Sequence, residues 1–117
     1  MGLFSRREAP PGPTQPFEFV VEHVFAVPMR GLVFTGHVTS GQVQRGQDAV
    51  LHLPGGAHAV RVKRIDVRKR SASVVGTGAE AGLYLDSVSS NDLPSTPRGD
   101  SNLIDNDAIA GTRITSA

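Results

Sequence analysis

The run from Val21 to Gln47 constrains the fold most: two apolar stretches are divided by Pro28-Met29-Arg30-Gly31, and the second runs into a polar segment bounded by Gly41 and Gly46. Ahead of the break, Phe17, Phe19, Val21, His23, Phe25 and Val27 share one parity, with Glu18 and Glu22 on the other. That period of two is the mark of a half-buried strand with its carboxylates facing out. After the break, Leu32 to Ser40 is apolar on both parities, as expected of a central strand, and Gly36 in its middle marks a bend or a close backbone approach. Gly41 and Gly46 then bracket a segment in which only Val43 is apolar, which predicts a polar loop with positive φ at its turns. Such a chain is committed to short antiparallel strands and tight turns.

The remainder repeats the pattern. Asp48 to Leu53 reads as a third strand, and Pro54-Gly55-Gly56 as a tight turn into a fourth. In that fourth strand Val60 and Val62 share one parity while Ile65 and Val67 share the other, so a β-bulge is predicted near Lys63 and Arg64. Ser71 to Gly78 reads as a small-residue loop, Ala81 to Val88 as a fifth strand, Ser89 to Gly99 as turns, and Ser101 to Ile104 as a short sixth strand that closes the sheet. Six short strands with glycine turns predict an all-β, closed six-stranded antiparallel barrel, because closure removes exposed edges. With 117 residues there is room for one such domain. The expected organisation is a Pro-rich leader over residues 1–16, a barrel over residues 17–104 and a C-terminal tail over residues 105–117.

Several chemistries lack their residues. There is no cysteine, hence no disulfide, thiolate nucleophile or thiol metal site. His23, His37, His52 and His58 do not stand at paired ligand spacing, so they are expected at the surface or core edge and no metal is expected. No nucleophile, base and orienter set is recognisable, so neither catalysis nor a cofactor is expected. No segment has the roughly 18 apolar residues of a membrane span, and Met1 to Arg7 has no apolar run behind it, so a cytoplasmic chain without membrane contact is expected. Net charge is only +1, yet Arg61, Lys63, Arg64, Arg68, Lys69 and Arg70 supply half of the 12 Lys and Arg, opposed within that segment only by Asp66. A local basic ridge facing solvent follows.

Taken together, Val24-Phe25, Pro28, Arg30-Gly31, Val33-Phe34-Thr35-Gly36, Gly41 and Gly46-Gln47-Asp48 resemble the second domain of elongation factor Tu and related translational GTPases. The similarity continues through Val60 to Lys69 and Ala81-Gly82-Leu83-Tyr84-Leu85 to Arg98-Gly99-Asp100, covering roughly residues 17–104. It implies a Greek-key-like barrel of the translation-factor domain 2 type. Three departures stand out. Met29 occupies a place where the family usually has glycine, Pro94-Ser95-Thr96-Pro97 looks like an insertion, and no phosphate-binding Gly-x-x-x-x-Gly-Lys-[Ser/Thr] loop occurs.

The resemblance implies binding residues, each carried over by position. Glu22, Val27, Val33, Lys69 and Leu83 match the pocket for the terminal adenosine of aminoacyl-tRNA, where apolar walls stack the base, a carboxylate accepts a hydrogen bond and a cation attends phosphate. The alternative is that Val27, Val33 and Leu83 are barrel core and Glu22 a solvated carboxylate. Arg68 and Glu80, at the positions that would face the aminoacyl group, differ from the family's usual residues. The ridge from Arg61 to Arg70, with Arg30, is the candidate contact for RNA phosphates. The expected partners are tRNA, rRNA or the ribosome. The alternatives are a protein adaptor working through the leader or a barrel edge, and an accessory barrel beside a separate GTPase subunit.

Overall fold

The computed structural model describes residues 15–89, 92–98 and 101–117. Ten strands and one short helix follow in order: β1 (Phe17–Val27), β2 (Gly31–Gln44), β3 (Asp48–Leu53), β4 (Gly56–Val67), β5 (Arg70–Ala72), β6 (Val74–Gly76), β7 (Glu80–Asp86), β8 (Ser95–Arg98), β9 (Ser101–Ile104), α1 (Asn106–Ile109) and β10 (Arg113–Ser116). Six of the strands form a closed antiparallel barrel in the order β1-β10-β3-β4-β7-β2, with β2 pairing back onto β1. β5 adds to β4 and β6 to β2 outside this cycle, and β8 pairs with β9 in a separate hairpin.

Alternation fills the barrel. Phe19, Phe34, Leu51, Ile65, Leu83 and Ile114, one from each of the six strands, are fully buried. Three bulges interrupt the alternation. Lys63 is the extra residue in β4, between Val62 opposite Leu85 and Arg64 opposite Tyr84, where the switch of apolar parity predicts it. Thr39 is extra in β2 and Glu22 in β1. The bulge at Glu22 turns the rest of β1 over. Val24 becomes core, while His23 and Phe25 face outward, stacked with ring centroids 5.9 Å apart. The expectation that His23, Phe25 and Val27 share the core face of Phe17, Phe19 and Val21 is therefore corrected.

Gly36 sits at the close approach its position suggests. A Cβ there would lie 1.9 Å from the Val20 carbonyl oxygen. The polar loop expected between Gly41 and Gly46 is instead strand as far as Gln44, because Gln42, Val43 and Gln44 pair with Gly76, Val75 and Val74. That pairing, and the pairing of β5 with β4, make strands of residues expected in the loop from Ser71 to Gly78.

The sixth barrel strand is β10, not Ser101 to Ile104. β10 pairs with both β1 and β3 and buries Ile114, whereas β9 pairs only with β8. Residues 105–117, expected as a tail, thus complete the barrel. α1 leads into β10: Asp105 caps it by accepting from the Ala108 N–H, Ile109 is fully buried, and Asn106 Oδ1 accepts from the Val24 N–H at 2.7 Å. Residues 1–14 of the leader, and Gly99 and Asp100 at the end of the resemblance, lie outside the described residues.

Candidate nucleic-acid interface

An open cleft of about 970 Å³ lies on the barrel exterior where β1, β2, β7 and the β4–β5 turn meet. Its lining is short of long apolar side chains: Gly36, Ala79, Ala81 and Gly82, with Val33 and Val67 as the larger apolar residues. Gly82 keeps that lining low, since a Cβ there would lie 2.8 Å from Val33 Cγ2.

Both signs of charge line the cleft. Glu22 stands on β1, on the far side of β2 from Glu80, which opens β7 next to the β4 end that carries Arg68 and Lys69, with Asp66 nearby. Glu22 is the extra residue of the β1 bulge and falls outside the cross-strand register. Its Oε2 lies 3.0 Å from His37 Nδ1. Arg68 and Lys69 form the two-residue connection between paired Val67 and Arg70, with φ of 52° and 68°. Positive φ at both positions is the type I′ hairpin turn, normally Asn-Gly or another turn pair, and side chains with a Cβ adopt it at a cost of roughly 1–2 kcal/mol each. Neither side chain forms an ion pair among the described residues.

Three further cations of the ridge are paired with carboxylates of the barrel. Arg61 Nε is 2.9 Å from Asp48 Oδ1, Lys63 Nζ 3.7 Å from Asp86 Oδ1, and Arg64 Nε 2.7 Å from Asp66 Oδ1. Arg30 joins the last pair at 3.9 Å from Asp66 Oδ2, and Arg64 also lies over the Tyr84 ring, 6.0 Å from its centroid. Arg70 is exposed at the start of β5.

Of the residues carried over from the resemblance, the cleft gathers Glu22, Val33, Arg68 and Lys69. Arg30 and Arg64 adjoin it through Asp66. Arg61 and Lys63 lie farther back along β4, Val27 ends β1 near the hairpin tip without lining the cleft, and Leu83 is fully buried in the core. Parity explains Leu83. It faces inward between Phe34 and Ile65, while Gly82 and Tyr84 face out. Sequence reasoning did not single out Thr35, Asp66 or Gly82, which line the cleft, or His37, which contacts Glu22 without lining it. The signal for His37 is register, since it pairs with Val20 on β1 and Glu80 on β7. No group of His, Asp and Glu able to hold a metal ion occurs among the described residues.

No protein-family model and no curated protein matches the chain. Solved structures do. Translation elongation factor SelB from Methanococcus maripaludis is similar with a TM-score of 0.62 and 23% identity over 88% of this chain and 18% of that one. A bacterial selenocysteine-specific elongation factor, EF-Sec, is similar with a TM-score of 0.66 and 21% identity over 86% of this chain and 14% of that one. The fold is therefore that of a translation-factor domain 2-type barrel, and the chain spans less than a fifth of the length of those factors.

Proposed function

We propose that this chain is a non-catalytic binding module that takes single-stranded RNA of the translation machinery, from tRNA, rRNA or the ribosome, in the cleft between Glu22 and the Arg68-Lys69 turn. The observation that carries this reading is the turn itself. Two cations are held in a backbone conformation that disfavours them, without carboxylate partners among the described residues, on the rim of an apolar-floored cleft. A structural hairpin would be better served there by Asn-Gly. On the far side, Glu22 of β1 offers a carboxylate that accepts from hydroxyl or amino donors, so the cleft suits a ligand with an anion at one end, a flat apolar middle and a donor at the other. A nucleotide of RNA has that form. The translation-factor fold of the two similar structures supports the same reading.

The double substitution R68N/K69G separates function from architecture. It installs the preferred turn pair and removes both cations, so thermal stability is expected to rise while affinity for bulk tRNA and ribosomal subunits falls at least tenfold. Unchanged affinity would overturn this use of the cleft.

A second reading, a protein adaptor or a barrel serving a separate GTPase subunit, is favoured by the β1–β2 hairpin, which leaves Phe25 half exposed and Met29 fully exposed. Affinity purification with and without nuclease distinguishes the two. RNA-dependent recovery of translation components supports the first, and nuclease-resistant recovery of one protein, lost on Met29→Ser or Phe25→Ser, supports the second.

A further inference from the structure

We infer that His37 is a positioning residue of the cleft, holding the Glu22 carboxylate ready to accept a hydrogen bond from the ligand; this rests on the RNA reading above. Glu22 is the extra residue of the β1 bulge, so regular cross-strand neighbours do not fix its direction, and its side chain is half exposed. A glutamate in that setting samples many rotamers, and ordering it when a ligand arrives weakens binding. Among the described residues its only polar contact is His37 Nδ1, at 3.0 Å from Oε2.

His37 is suited to that role. It stands on β2 with Val20 of β1 on one side and Glu80 of β7 on the other, and its ring has only two side-chain torsions to order. With the proton on Nδ1, the ring donates to Oε2 and leaves Oε1 to accept from a ligand hydroxyl or amine. Arg68 and Lys69 make no ion pair with Glu22 among the described residues, so the carboxylate keeps its capacity as an acceptor. His37 does not itself line the cleft. It acts through Glu22.

The test uses a fluorescein-labelled single-stranded RNA and the full chain with His37→Ala, His37→Asn or Glu22→Gln. Asn places its amide nitrogen as many bonds from the backbone as His Nδ1, so it can donate to the same carboxylate oxygen. His37→Ala is expected to weaken binding about tenfold, Glu22→Gln by as much or more, and His37→Asn to restore most of the loss. Independently of RNA, long-range ¹H–¹⁵N spectra of the neutral imidazole should show His37 protonated on Nδ1 in the wild type and predominantly on Nε2 in Glu22→Ala. Wild-type affinity in His37→Ala, an Asn variant no better than Ala, or an Nε2-protonated wild-type ring would each overturn the role of His37 while leaving the RNA reading in place. A wild type that binds no RNA would overturn that reading and this role with it.

Discussion

At the scale of single residues, what the backbone leaves room for differs between Met29 and Gly36. Met29 follows Pro28 in a turn closed by the Arg30 N–H donating to the Val27 carbonyl at 3.0 Å, and its φ is 70°. Pro at the second position and positive φ at the third define a type II turn, whose third position is made for glycine. Since Met29 is fully exposed, Met29→Gly removes strain without removing packing. It should raise the unfolding free energy by about 1 kcal/mol, measured by urea denaturation, the relief being partly offset by the freer unfolded chain. An unchanged or lower stability would show that Met29 is not strained. Gly36 presents the opposite case. The Val20 carbonyl oxygen stands where its Cβ would be, so Gly36→Ala must move β1 or β2 and is expected to cost about 3 kcal/mol or more in the same assay.

At the scale of elements, the three bulges and β10 decide what becomes a barrel and what becomes a site. The bulge in β4 is legible in the sequence because apolar pairs flank it on opposite parities. The bulge in β1 is not legible, because His23, Phe25 and Val27 continue the earlier alternation although the strand has turned over. Pattern alone cannot distinguish a side chain facing the core from one lying on an apolar outer surface. For the same reason Leu83 resembles a pocket wall until its register places it inside, whereas Glu22, Val33, Arg68 and Lys69 line the cleft. β10 is hidden for a different reason: only Ile114 of its four residues is buried, and its strand character comes from the two unpaired edges that it fills. A chain ending after Ile104 would leave β1 and β3 unpaired along those edges and remove the buried Ile109 and Ile114. Such a truncation is expected to lose its cooperative thermal transition and aggregate, seen by circular dichroism and light scattering. A soluble fragment with the full-length melting temperature would show that β10 is dispensable.

At the scale of the whole molecule, the basic ridge is a weaker electrostatic feature than its sequence suggests, and salt can measure how much weaker. Six cations lie between Arg61 and Arg70, but Arg61, Lys63 and Arg64 are paired with Asp48, Asp86 and Asp66 from within the barrel. Arg68, Lys69 and Arg70 make no ion pair among the described residues. For single-stranded nucleic acid, each phosphate neutralised contributes roughly −0.7 to the slope of log K against log salt, so three free cations predict a slope of about −2 and all six about −4. Titrating the labelled RNA at several potassium chloride concentrations decides between these values. A slope near −2 that becomes shallower by about 1.4 in R68N/K69G would locate the phosphate contacts in the β4–β5 turn. A slope near −4 would mean that RNA draws the β4 cations away from their carboxylates, and substituting Asp48 or Asp86 by Asn should then strengthen binding.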